Sequence, residues 1–340
     1  MNIAVIRFSS LGDVALTSPV ISSILNNNEE VNIWMITNPI FIDLFQKNER
    51  LHFINADLYG KHKGVLGLKK LVSEITVQSK IDVVVDLHDV LRTKLMKVFF
   101  KLKGIKTITF NKGRKEKQQL IKGDIPFEPL SHITKRYSIA FNTLVENHSL
   151  DENFKLYPSK DIQTPLEFNK NTFTVGIAPF AAHKSKEWGI DKVDQLINHL
   201  SHLNILLFGS KADKIQLESL ENKYAHCKCI AGEYSLSEEL KIISKISLMI
   251  CMDSANMHLS TLTQTPVISI WGPTHHYIGY GPIHDINNIV EIPKETMPCR
   301  PCSIYGKINS ESQRKCAKKS MDEITVEQVL KKVNDLLKAH

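Results

Sequence analysis

The chain has 340 residues, 42% hydrophobic and 23% charged, which is the make-up of a globular protein long enough for two domains with separate cores. No window approaches the roughly 18 uncharged apolar residues of a membrane-spanning helix, and six cysteines are too few for a disulfide scaffold in a chain this long. The formal charge of +7 is concentrated, with eleven Lys or Arg between Arg92 and Lys122 against the single acid Glu116, so an anionic partner is expected: phosphorylated lipid, membrane surface or nucleic acid.

The opening residues lack a basic segment followed by a long apolar run, so the expectation is a cytosolic protein with reduced cysteines. Asn2–Phe8 reads as a buried strand that hands over, through FSSLGDVALTSP (residues 8–19), to a helix over Val14–Leu25. A strand over Val31–Thr37 follows, then helices over Pro39–Lys47 and Gly67–Gln78, and a strand over Ile81–Leu87. Residues 158–172 are polar and carry two prolines, as a linker does. Beyond them come strands Phe173–Ala178, Asn204–Phe208, Ser247–Met252 and Val267–Trp271, with helices near Lys192–Leu203, Ser235–Ser244 and Asn256–Thr263, and a last amphipathic helix over Thr325–Leu337. The alternation predicts an α/β protein: two Rossmann-like domains, 1–160 and 173–320, with a C-terminal helix in 321–340. The active site is then expected in a cleft between the domains.

Strand-to-helix junctions are where such sheets gather ligands. At the first, Gly12 offers a backbone free of side chain, and Asp13 stands at the start of the helix with Ser9 and Ser10 beside it. An aspartate there is either a helix cap or a general base toward a substrate hydroxyl. The second domain repeats the arrangement in CMDSANMHLSTLTQTPVISIWGPT (residues 251–274), where Asp253, Ser254 and Ala255 open a helix that carries His258. Small residues at a helix start let free N–H groups reach a phosphate. Lys184 and Lys186 sit in the preceding loop, where a lysine either neutralises a diphosphate or is simply solvated.

SSLGDV, KEW (186–188) and DSANMHL…TPVISIWGPT together resemble glycosyltransferase family 9, the lipopolysaccharide heptosyltransferases, with further similarity in IDVVVDLHDVLRT (81–93), HITKRY (132–137) and PCRPC (298–302). The resemblance spans most of the chain in the expected order. It implies a GT-B fold, two Rossmann-like domains facing a central cleft, and inverting transfer of a heptose from ADP-heptose to an inner-core lipopolysaccharide acceptor. By position it makes Asp13 the catalytic base, Lys186 the ligand of the donor phosphate and Asp253 a contact of the donor sugar. Ser254, Ala255 and His258 fall in the donor loop, and Ser10, Gly12, His88, Arg92 and Lys94 are the acceptor-binding candidates. Ser-Ala stands here where the family usually has Thr-Gly, and Ala181-Ala182-His183 where it commonly has a glycine. No Asp-x-Asp occurs, so neither a metal nor another cofactor is expected.

Leu91, Leu95, Val98, Phe99 and Leu102 recur at helical spacing, with Lys94, Lys97 and Lys101 on a flank. The stripe reads as the packed face of a helix; the lysines read either as its solvated side or as a surface for the lipid acceptor and the inner leaflet of the inner membrane. Cys299, Cys302 and Cys316 fall one ligand short of a closed tetrahedral site. Competing readings are a non-catalytic relative that only binds sugar nucleotide, and a nucleic-acid binder using residues 92–122; few aromatics interleave that segment, so no nucleic-acid partner is expected.

Overall fold

A computed structural model describes residues 1–157, 162–167 and 172–339. Parts of the expected linker, 158–161 and 168–171, lie outside the described residues. Two compact units partition the chain: residues 1–114 with 131–156, and residues 115–130 with 157–340.

The first part of the chain runs β1 (Asn2–Ile6), α1 (Leu11–Ala15), α2 (Ser18–Asn27), β2 (Asn32–Thr37), β3 (Leu51–Asn55), α3 (Gly64–Gln78), β4 (Val83–Asp86), α4 (Leu91–Leu102), β5 (Lys106–Thr109), α5 (Arg114–Lys122) and α6 (Ile133–Ile139). Its five strands are parallel in the order β3-β2-β1-β4-β5. The central strands are apolar along almost their whole length because helices cover both faces, and β4 is buried throughout. The chain leaves β1 toward β2 on one side and returns to β4 on the other, so the strand order reverses between β1 and β4. Ile6 pairs with Asp86, which sets the loops after both strands level at that crevice.

The second part runs β6 (Thr174–Ala178), α7 (Ile190–His199), β7 (Asn204–Leu207), α8 (Lys214–Glu221), β8 (Cys227–Cys229), α9 (Leu236–Ile243), β9 (Leu248–Met252), α10 (Ala255–Thr263), β10 (Val267–Trp271), β11 (Ile289–Glu291), α11 (Glu311–Asp322) and α12 (Val326–Ala339). Its sheet is also parallel, ordered β11-β10-β9-β6-β7-β8, and reverses between β6 and β9, whose ends meet at Ala178 and Cys251. The final helix is part of this core: Val326, Val329 and Val333 of α12 are buried among Val193, Leu196 and Ile268.

The expected α/β class with parallel sheets is what the chain adopts. Two local expectations change. The helix predicted over Val14–Leu25 is two helices, because Pro19 lacks an N–H and restarts the helix at its first turn, while Thr17 donates its hydroxyl to the Val14 carbonyl between them. In α4 the buried side chains are Thr93, Met96 and Phe100; of the stripe expected to pack, Leu95 and Phe99 rest partly buried against the core, while Leu91, Val98 and Leu102 face outward.

Candidate functional site

In the second unit, β6 ends at Ala178 and its loop makes a single 3-10 turn, Lys184–Lys186, that aims Lys186 back across the sheet edge. Lys186 is buried, and its Nζ donates to Asp253 Oδ2 at 3.1 Å. The Thr274 hydroxyl donates to the same oxygen at 2.8 Å. Asp253 is therefore not the cap of α10. Ser254 holds the N-cap position without a side-chain cap bond, and its buried Oγ has no hydrogen-bond partner among the described residues. The first N–H groups of α10 thus point from an uncapped terminus whose dipole favours an anion. Ala255 is the first helical residue, and His258 is buried one turn in.

Gly306 fixes the lysine from behind. Its φ is +89°, and a β-carbon there would lie 2.8 Å from both Cγ and Cδ of Lys186. Ser185 donates its hydroxyl to the Gly306 carbonyl at 2.5 Å, which ties the two loops together.

Arg300, fully buried, shapes the neighbouring loop. Its guanidinium donates to the carbonyls of Trp271, Gly272, Thr274 and Ile292 and to Glu291 Oε2. Burial pushes the Glu291 carboxyl up, but the His275 imidazole at 3.3 Å, the nearby His276 and the Arg300 charge outweigh it and hold the group well below the usual range. His275, His276 and Glu291 carry metal-type atoms within 4.8 Å of one another. Nδ1 of His275 accepts the Tyr277 N–H, however, so neutral His275 carries its proton on Nε2 and donates it to Glu291. Cys299 and Cys316 are disulfide-bonded, contrary to the expectation that all cysteines are reduced, because α11 brings Cys316 against the 299–302 loop. Cys302 stands 2.7 Å from the Cys316 sulfur, and no fourth metal-type ligand joins the three among the described residues.

In the first unit, Asp13 occupies the third position of α1. Its Oδ2 accepts from the Ser10 hydroxyl at 2.7 Å and from the Ser10 N–H at 3.4 Å, and pairs with Arg7 at 2.7 Å. Arg7 is buried and also donates to the Leu87 carbonyl, so the β1 and β4 loops meet at the carboxylate. Asp13 nonetheless keeps 24% of its side chain open. Gly12 is buried behind it in the same helix.

A cleft of about 700 Å3 opens at the β1, β2, β3 and β4 loops, lined by Phe8, Ser9, Phe41, Tyr59, His88 and Arg92 among others. The Phe8 N–H points at Nδ1 of His88 (3.4 Å), and burial followed by the charges of Arg7 and Lys112 pushes the imidazole down to about 4. Arg92 lies over the Tyr59 ring at 5.7 Å. Ser10, Gly12 and Lys94 are not among the lining residues. Lys94 is exposed beside Asp89, whereas Lys97 is tied inward to buried Asp86 at 3.1 Å. Lys112 donates to the Asp89 carbonyl and Lys117 is buried over the Tyr280 ring, so the 92–122 segment is not the continuous basic surface that nucleic-acid binding needs. Arg7, Thr274, Arg300 and Gly306 were not singled out as site residues from sequence, although Thr274 and Arg300 lie in motifs that were.

The sequence model of glycosyltransferase family 9 (heptosyltransferase) matches residues 73–308. The lipopolysaccharide core heptosyltransferase OpsX of Haemophilus influenzae is 24% identical, over 98% of this chain and 96% of its own length. Among solved structures, a family 9 glycosyltransferase from Veillonella parvula superposes with a TM-score of 0.75 at 18% identity, covering 100% of this chain and 98% of its own. The E. coli heptosyltransferase WaaC, solved with ADP-2-deoxy-2-fluoro heptose, gives 0.70 at 14% identity, over 98% and 99% of the two chains. Two parallel sheets of this topology, with these relatives, define a glycosyltransferase of the GT-B fold. The chain belongs to glycosyltransferase family 9.

Proposed function

We propose that this enzyme transfers a heptose from ADP-heptose to a phosphorylated inner-core lipopolysaccharide acceptor, with inversion at the anomeric carbon. The observation that carries the reading is Lys186, whose buried ammonium is held by Asp253 beside the uncapped start of α10. That is a ready site for the diphosphate, with Asp253 and Thr274 at hand for the sugar. The second unit is accordingly the donor-binding domain and the first the acceptor-binding domain, where His88 and Arg92, which line the cleft, meet the acceptor.

In the reaction, Asp13 takes the proton of the acceptor hydroxyl as its oxygen attacks the anomeric carbon from the face opposite ADP. The bond from that carbon to the diphosphate oxygen breaks, and ADP leaves with the electron pair. Lys186 and the first N–H groups of α10 stabilise the charge that develops on it. Arg7 and Ser10 hold the carboxylate in place, so it need not reorganise to accept the proton. With an acceptor in lipopolysaccharide, the enzyme of this reading works at the cytoplasmic face of the inner membrane.

The test is incubation of the purified enzyme with a panel of nucleotide sugars and lipid-free core acceptors, read by mass spectrometry and by NMR of the new linkage. Gain of one heptose from the ADP donor with inverted configuration supports the reading. Transfer from a different nucleotide sugar alone, retained configuration, or ADP binding with no transfer overturns it.

A further inference from the structure

We propose that the outer face of α3 and α4 docks on a bilayer rich in anionic phospholipid. The proposal rests on the lipid-borne acceptor of the proposed function and names the surface that would bring the enzyme to it. In α4, Leu91, Val98 and Leu102 are 84%, 51% and 78% exposed and share one helix face, while Leu95 between them leans partly buried onto the core. The opposite face, Thr93, Met96 and Phe100, fills the core. Helix α3 packs beside α4 and buries Leu68, Leu71, Val72 and Ile75 in the same core, while its outer side presents Leu66 and Val77, 81% and 83% exposed. A single exposed leucine needs no account, but three exposed apolar residues on one face of α4, with Leu66 and Val77 exposed at the two ends of the adjacent α3, mark an interaction surface.

Charge selects the partner. Lys94 and Lys101 border the α4 stripe on one side and Arg92 on the other, and Lys69 and Lys70 flank Leu66 on α3; all five are exposed. From Leu58 to Lys106 the exposed acid is Asp82 alone. Leucine and valine along a helix with lysine at its flanks is the pattern of a helix lying in the headgroup plane, apolar side toward the acyl chains. Basic residues at that depth gain from the negative surface of the leaflet. The surface also runs into the cleft, because Leu91 and Arg92 line both, so an acceptor anchored in the leaflet reaches the cleft without leaving it.

Vesicle flotation without any sugar donor tests the surface. The parent protein should float with phosphatidylglycerol-containing vesicles and far less with pure phosphatidylcholine. The triple variant Leu66→Asn, Val98→Asn, Leu102→Asn alters no cleft residue, and it should lose at least about tenfold in vesicle partitioning while keeping its melting temperature and its transfer to a lipid-free acceptor. Equal flotation of parent and variant overturns the proposal, as does a parent that stays with the aqueous phase. A variant that melts well below the parent, or a parent dimer that the variant dissociates, would assign the stripe to packing within or between chains and overturn it too. A protein that floats as expected yet transfers no sugar would keep the surface and sink the transfer reading alone.

Discussion

Asp13 receives an arginine and a serine on one carboxylate oxygen while a quarter of its side chain stays open, an arrangement that suits the base of the proposed mechanism. Asp13→Asn keeps the shape and removes the basicity, so kcat should fall by about 10^2- to 10^4-fold with ADP affinity unchanged in calorimetry. Gly306 bears on the proposed donor site. Gly306→Ala puts a methyl against the Lys186 stem and imposes a strained φ, and because the stem is enclosed the ammonium must shift away from Asp253. ADP binding should weaken several-fold, on the order of 1 kcal/mol, while Asp13-dependent chemistry on saturating donor changes little. His88 sets a pH dependence. It stays neutral in the folded protein down to about 4, whereas the unfolded chain takes up the proton near 6.5. Acidification across that window therefore favours unfolding, with full stability above about 6.5 and a progressive loss toward 4. Urea midpoints at about pH 7 and about pH 5 should differ by less in His88→Gln than in the parent; an unchanged difference would remove His88 as the cause.

At the scale of elements, the loop after β10 acts through its neighbours. Arg300 joins the carbonyls of Trp271, Gly272 and Thr274, and Thr274 in turn positions Asp253. Arg300→Lys retains the charge but not the fork, leaving buried carbonyls unmatched. We expect a loss of about 1–3 kcal/mol in stability and a raised KM for the donor, with kcat less affected; a variant that only melts earlier, with donor KM intact, would make Arg300 a packing residue. The same elements show what sequence can and cannot reveal. Strands β1, β2, β4, β6, β7, β9 and β10 were readable because burial on both faces demands an unbroken apolar run. The four strands without such a signal, β3, β5, β8 and β11, are the four sheet edges; β5 is Lys-Thr-Ile-Thr with both ends exposed, and β8 carries an exposed lysine between two buried cysteines. Asp13, Lys186 and Asp253 could be picked as candidates because each lies in the segment that joins a readable strand to the next helix or opens that helix. Arg7 and Arg300 were not, since what gives each its role is a partner distant in sequence: Leu87 lies 80 residues from Arg7, and the Trp271 carbonyl 29 from Arg300. The α4 stripe misled for a related reason: periodicity marks an apolar face without saying whether a core or a solvent-side surface will receive it.

For the molecule as a whole, there are two separate cores and two strand-order switch points, and the proposed mechanism gives each unit a different ligand. The chain leaves the first unit for residues 115–130 and returns to it before entering the second for good, so neither unit is one continuous stretch of sequence. In the proposed mechanism ADP touches Lys186, Asp253 and the start of α10, all in the second unit. Ligand at about 100 times its dissociation constant stabilises what it binds by roughly 2.7 kcal/mol, which slows amide exchange through unfolding of that unit by about 100-fold. Hydrogen exchange with saturating ADP should therefore deepen protection in β6, β9 and β10 and in α12, whose Val329 and Val333 belong to the same core. Strands β1, β2 and β4 should exchange as they do without ligand. Protection that rises equally in both sets of strands would mean that the donor is shared between the units from the outset, and protection confined to the first set would move the diphosphate away from Lys186 altogether.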